Sequence, residues 1–224
     1  MAHISTTKRS AKSYWAIYDT LKQDIMLGIL EPGTPVPEME VAERFHSSRA
    51  PVREAFIHLE KGGFLRAADY RGYSVPEISL QELKELFQVR LLLEPAAAEM
   101  AAKEPQLFRR QLEDCEAHIS RQENEPVTPS TMLEHLKAEI GFHTLIARSG
   151  GNSLLAEVVV AVTERFQRYH AWLLRHSPSL TDTVKWHRQI LDDIVNGRSE
   201  AARDAMSSHI QAGRQIWLER YFQH

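Results

Sequence analysis

The run Ser48-Arg49-Ala50-Pro51-Val52-Arg53 places two arginines one helical turn apart, behind a hydroxyl residue and beside a proline. Arginines at i and i+4 share one face of a helix, and a guanidinium can bond both acceptors of a guanine edge in the major groove. Ser48 stands where an N-cap would accept from an otherwise orphaned amide. Pro51 falls in the first turn, where its missing N–H costs nothing. Val52, Ala55, Phe56 and Leu59 follow the spacing of a buried stripe on the opposite side. These residues suit a helix that reads base edges, with Ser48 and the positive helix N-terminus suited to a phosphate. The plain alternative is a surface helix carrying two solvated arginines. A second group suits metal chemistry. Glu139 and His143 lie four residues apart, and His187 and His209 fall on two later helical segments. One carboxylate and three imidazoles suit Zn²⁺, Ni²⁺ or Mn²⁺. Spacing alone leaves this open, because the chain has 11 histidines and His135 is also four residues from Glu139.

The elements that must position these residues read as follows. Tyr14, Tyr18, Leu21, Ile25 and Ile29 mark an amphipathic helix ended by Gly28 and Glu31-Pro32-Gly33. After a turn containing Pro32, Pro35 and Pro37, residues 38–45 form a short helix. The turn His46-Ser47 then leads into the arginine helix, which stops at Gly62-Gly63. Phe64 to Ala67 and Tyr73 to Val75 read as two strands joined by Asp69-Tyr70-Arg71-Gly72. Three helices and a hairpin make a winged helix-turn-helix, with Arg66 and Arg71 on the wing and facing backbone or minor groove. Pro76 separates this unit, residues 13–76, from a second over 79–224. There every segment reads helical, at 79–103, 105–123, 131–149, 152–175, 181–196 and 198–222. The fold class is mainly α: a winged helix-turn-helix followed by an all-α six-helix bundle. Residues 1–12 are short, polar and mildly basic (Lys8, Arg9, Lys12) and read as a flexible tail.

Composition narrows the partners. The 224 residues suffice for two modest cores, and the net charge of −3 gives no global attraction to nucleic acid. Residues 1–78 carry ten Lys/Arg against ten Asp/Glu. Sequence-specific binding to duplex DNA would therefore rest on locally placed arginines and on two copies of the chain. The lone Cys115 fits a reducing cytoplasm and a small core or boundary residue rather than a nucleophile. No apolar run approaches the roughly 18 residues of a membrane span, and no secretory leader is read.

The order of several short motifs carries a resemblance. Leu27 to Gly33, Glu38-Met39-Glu40-Val41-Ala42, Ser48 to Ala55 and Arg71-Gly72-Tyr73-Ser74-Val75 resemble the DNA-binding domain of GntR-family transcription regulators. The bundle resembles that family's FadR-type C-terminal domain, FCD. Its matching pieces are Arg90-x-x-Leu93-Glu94 with the following alanines, Phe142-His143, Gly151-Asn152-x-x-Leu155, His187 and Met206-x-x-His209-Ile210. Six helices and a short length look closer to the VanR-like branch than to the seven-helix branch. Two positions depart from the family pattern: His46-Ser47 replaces the usual Gly-Val, and Glu139 replaces the usual Asp.

The resemblance implies a metal site at Glu139, His143, His187 and His209. It also implies a small organic acid that chelates the ion, with Arg90 as the cation meeting the acid's other end. Arg165 and Arg168 are weaker candidates for that role, and Asn152 reads as a helix N-cap. The implied function is a homodimeric repressor whose operator affinity the acid modulates, through changes in the bundle and near Pro76. Leu83, Leu86, Phe87, Leu91 and Leu92 form a stripe, partly core and partly available to a second subunit. Two rivals stand beside this reading: a metal-dependent, hydrolase-like helical bundle enzyme, and a regulator with a purely structural metal. Against the enzyme, no His-Glu-x-x-His helix occurs and no further carboxylate is placed as general base.

Overall fold

The computed structural model describes residues 5–68, 72–124, 126–177 and 181–223. They divide into two compact units, 1–78 and 79–224. The first contains α1 (Ser5–Leu27), β1 (Pro35–Val36), α2 (Glu38–Arg44), α3 (Arg49–Lys61), β2 (Arg66–Ala68) and β3 (Gly72–Ser74). The helix α1 begins inside the segment read as a flexible tail. That stretch has no proline or glycine to stop a helix, and Lys8, Arg9, Ala11 and Lys12 are good helix formers. Ile17, Leu21 and Ile25 of α1 and Val52, Ala55, Phe56 and Leu59 of α3 are fully buried, so the stripe behind Arg49 and Arg53 is the core of this unit. Ile29, read as part of the α1 stripe, instead lies beyond the helix and is exposed.

The wing is a three-stranded antiparallel sheet in the order β1-β3-β2, rather than a lone hairpin. Pro35 pairs with Ser74 and Val36 with Tyr73, while Gly33 and Val75 extend the ladder by an N–H···O bond of 2.9 Å. The proline-rich turn hid β1, because two residues cannot show alternation. Proline is tolerated there because β1 is an edge strand.

Three helix ends in this unit share one geometry. In each, the residue after the cap takes positive φ while its amide and the next bond back to carbonyls of the last turn. Gly28 (φ +75°) and Gly63 (φ +73°) do this after α1 and α3. After α2 the same place is held by His46 (φ +47°), the sole non-glycine with positive φ among the described residues. His46 N–H bonds Glu43 O at 3.1 Å and Ser47 N–H bonds Ala42 O at 2.9 Å. His46-Ser47 therefore makes the same turn as the two glycine-bearing helix ends and carries the strain of a non-glycine residue at positive φ. His46→Gly is expected to stabilise the chain by about 1 kcal/mol, measured as a rise in the urea midpoint at unchanged slope.

The second unit holds α4 (Leu80–Ala101), α5 (Arg109–Asn124), α6 (Met132–Ser149), α7 (Ser153–His176), α8 (Thr181–Val195) and α9 (Ser199–Tyr221). Pro105–Phe108, read as the start of the fifth helix, forms a separate 3-10 turn. α4 is central and packs against α6, α7, α8 and α9. Its run Ala97, Ala98, Ala101 is fully buried, small side chains that let neighbouring helices approach closely. Ser79 caps α4 by accepting from Glu82 N–H at 3.2 Å, and Asn152 caps α7 by accepting from Leu155 N–H at 3.1 Å. Among the described residues, no helix is long and apolar enough to cross a membrane.

Candidate DNA-reading face and candidate metal centre

Ser48, Arg49 and Arg53 lie together on the exposed N-terminal face of α3. Ser48 occupies the N-cap with extended backbone, but its side chain makes no capping bond. The third helical residue is Pro51, which has no N–H to offer the hydroxyl. Arg53 is not idle on this surface: its Nε lies 2.9 Å from Glu38 Oε2 at the start of α2. That bridge steers the side chain while Nη1 and Nη2 remain for a base edge. Arg66 stands exposed on β2; Arg71, the other expected wing contact, lies outside the described residues. The wing is tied to α3 by Tyr73 packing edge-on to Phe56 at 5.0 Å and by Ala67 N–H donating to Glu60 Oε1 at 3.2 Å. Burial first, then Glu60 and Glu38, raises the Tyr73 pKa, so its phenol stays neutral.

In the second unit α6, α8 and α9 bring Glu139, His143, His187 and His209 together. One donor atom from each lies within 4.8 Å of all the others. His143 Nε2 is 3.2 Å from Glu139 Oε1 and 3.4 Å from His209 Nε2, and His187 Nε2 is 3.4 Å from Glu139 Oε2. His135, the rival on α6, is buried but is not part of this cluster. The three clustered imidazoles are almost wholly buried.

A residue without an assigned role in the sequence reading orients the cluster. Glu94 on α4 sits with Oε1 2.6 Å from Arg90 Nε and Oε2 2.5 Å from His143 Nδ1. Burial alone would raise the Glu94 pKa, but Arg90 and His143 outweigh it and lower it to about 2. A carboxylate against Nδ1 puts the imidazole proton there and turns the Nε2 lone pair toward Glu139 and His209. Burial opposes charging His143 too, yet Glu94 and Glu139 raise its pKa overall. For Glu139, burial is again outweighed, by His187, His170 and His143, and its carboxyl is held well below the usual range. Burial lowers the His187 pKa to about 3 despite Glu139, and with His187 and His143 beside it His209 is depressed as well.

The donor set fits a divalent ion. Glu139 Oε1 and His143 Nε2 face each other at 3.2 Å, and a divalent ion can take the place of a proton shared between them. His187 Nε2 is buried and makes no hydrogen bond. His187 and His209 are already in the neutral form that coordinates.

Arg90 is buried, with its guanidinium 4.4 Å above the Phe166 ring and Nη2 3.2 Å from His143 Nε2. It lines a cavity of about 140 Å³ together with Glu139, His209, His170 and Trp217. His170 of α7 escaped the sequence reading, since no spacing ties it to the other histidines. Arg165 and Arg168, the weaker effector candidates, are instead directed to Glu82, at 2.9 and 3.4 Å.

The profile described as "Bacterial regulatory proteins, gntR family" matches residues 13–75, and the "FCD domain" profile matches residues 85–212. The chain belongs to the GntR family of transcription regulators with an FCD domain; it is a DNA-binding regulator, not an enzyme. Among its relatives, the "Uxu operon regulator" of Haemophilus influenzae is 30% identical over 221 residues, covering 89% of this chain and 80% of the relative. The "HTH-type transcriptional repressor RspR" of Escherichia coli (strain K12) is 27% identical over 195 residues, with 87% and 84% covered. The HTH-type transcriptional regulator YdhC of Bacillus subtilis is 27% identical over 201 residues, with 88% and 87% covered. In fold, the chain is similar to McbR/YncC of E. coli (TM-score 0.75, 21% identity, 93% and 98% covered). It is also similar to a GntR regulator of Rhodococcus sp. RHA1 (TM-score 0.73, 18% identity, 95% and 98% covered).

Proposed function

We propose that this regulator is a homodimeric, cytoplasmic repressor that holds one divalent ion per chain at Glu139, His143, His187 and His209. A small organic acid entering the adjoining cavity loosens its grip on a two-fold-related operator. The observation that carries this reading is the buried three-histidine, one-carboxylate cluster opening onto a cavity that also contains Arg90. Four protein donors leave one or two coordination positions for the acid. The ion supplies Lewis acidity and a fixed positive charge there, and Arg90 adds a donor for a carboxylate. Zn²⁺, Ni²⁺ and Mn²⁺ all suit a mixed nitrogen and oxygen set. Glu139, one methylene longer than the usual Asp, still reaches the cluster.

Leu92 on α4 and Leu154 and Val158 on α7 expose apolar side chains on two helices that pack together, which supports a second copy as partner. The six α-helices among the described residues of the second unit support the VanR-like branch. On DNA, Arg49 and Arg53 read guanines, Ser48 meets a phosphate, and Arg66 and Arg71 meet the backbone or the minor groove. Arg66→Ala is expected to weaken binding equally to operator and to scrambled duplex. It should also reduce the salt slope of log Kd by about one unit for each lost phosphate contact, as read by fluorescence anisotropy at several salt concentrations.

The experiment that tests the reading measures metal content and then follows melting temperature and operator affinity during titration with organic acids. Acid-dependent operator release is the expected result. Metal-dependent stability with no response to any acid would make the ion structural.

A further inference from the structure

We infer that the cavity takes a dianionic organic acid. One acidic end lies at the metal cluster and Arg90, the second meets Arg220, and the carbon body lies over Gly213. This deepens the metal-site reading above and rests on it. One face of α9 forms the rail: His209, Gly213, Trp217 and Arg220 follow at intervals of four, four and three, and all line the same cavity. Eleven residues of helix separate the first from the last, about 16 Å along the axis. Long side chains on a helix lean toward its N-terminus, so the Arg220 guanidinium can close part of that gap. A two-carbon acid held at the ion is too short to reach Arg220 as well, so the second contact calls for a longer chain.

The lining specifies the two ends differently from the middle. Phe166, Leu174, Ile210 and Trp217 give apolar walls between them. Among the described residues, the charged side chains of the lining are Arg90, Arg220 and Glu139, and Glu139 belongs to the ion. Among the exposed arginines of this unit, Arg220 lines the cavity. Arg165, Arg198 and Arg203 each hold a carboxylate. Arg220 bonds the neutral side-chain amide of Gln223 through Nη1 at 3.1 Å. A guanidinium at a cavity mouth, held by an amide it can exchange, is a donor for an incoming carboxylate.

Gly213 supplies the room. Glycine inside a helix weakens it, yet a Cβ added here would meet no atom within 4 Å. No close-packed neighbour requires the glycine; its effect is to keep the cavity wall open midway between His209 and Arg220.

The test uses the full-length protein loaded with Zn²⁺ and calorimetry with acetate, valerate, glutarate, hexanoate and adipate. At equal chain length the dicarboxylate should bind at least tenfold tighter than the monocarboxylate. Arg220→Gln should remove that advantage while monocarboxylate binding stays within twofold, and Gly213→Val should weaken adipate but not acetate. Arg220 is exposed, and melting curves of both variants establish that they fold. A dicarboxylate preference that survives Arg220→Gln, or no preference in the native chain, overturns the inference while leaving the metal-site reading in place. If no carboxylate binds, acetate included, the acid-sensing reading above fails and the inference with it.

Discussion

Arg53→Ala is expected to reduce operator binding to the level of scrambled DNA while the protein stays folded. Each bidentate arginine–guanine contact contributes about 1–3 kcal/mol of discrimination, and a dimer on a two-fold site loses two of them. The loss is then about 2–6 kcal/mol, or roughly 30-fold to 10⁴-fold in affinity. Stability should barely change. The Arg53–Glu38 bridge is surface-exposed on the arginine side, and such pairs contribute at most about 1 kcal/mol. The first unit has no positive excess to compensate. With ten cationic and ten anionic side chains over residues 1–78, non-specific attraction is weak and the loss of a reading contact is fully visible. Anisotropy titrations on operator and scrambled duplex at one salt concentration measure it. Unchanged operator affinity would place the reading surface elsewhere than α3.

The second large effect is expected at the cluster. The native chain should carry one equivalent of divalent metal, and the His143→Ala, His187→Ala double variant should carry none, by elemental analysis after dialysis. Metal added at 100 times its Kd stabilises the native chain by about 2.7 kcal/mol through mass action. The variant should show no such rise in melting temperature. It should also melt lower than the metal-free native chain. Removing His143 deprives the buried Glu94 of a charge partner at 2.5 Å, and only Arg90 then offsets the cost of its burial. A variant that still bound a full equivalent would mean that other residues hold the ion.

How much of this was legible in the sequence depended on whether the signal was local. The reading helix was, since cap position, first-turn proline, apolar stripe and terminal glycines all act within a few turns. Its one local error is equally physical: Ser48 holds the cap position, but Pro51 removes the amide it would have bound. β1 was not legible, because a two-residue strand beside prolines becomes a strand only by pairing with β3. At the metal cluster, spacing could not separate His135 from His143, since both lie four residues from Glu139. The resemblance pointed to His143, and the packing of α6 against the rest of the bundle turns that residue toward His209. Glu94 had a usable signal, an i,i+4 pairing with Arg90 inside the otherwise apolar run 89–98. His170 and Arg220 had none, because their places depend on which faces of α7 and α9 turn toward a cavity that only the tertiary fold creates.

The acid site and the reading helices are coupled, so filling the cavity must change the affinity for the operator. The operator Kd of the Zn²⁺-loaded protein is measured by anisotropy without acid and with glutarate or adipate at concentrations that calorimetry shows to be saturating. Coupling of 1–3 kcal/mol predicts a Kd raised about 5- to 150-fold, with the effect absent in the His143→Ala, His187→Ala variant. An operator Kd that stays the same while the acid site is full would contradict the account.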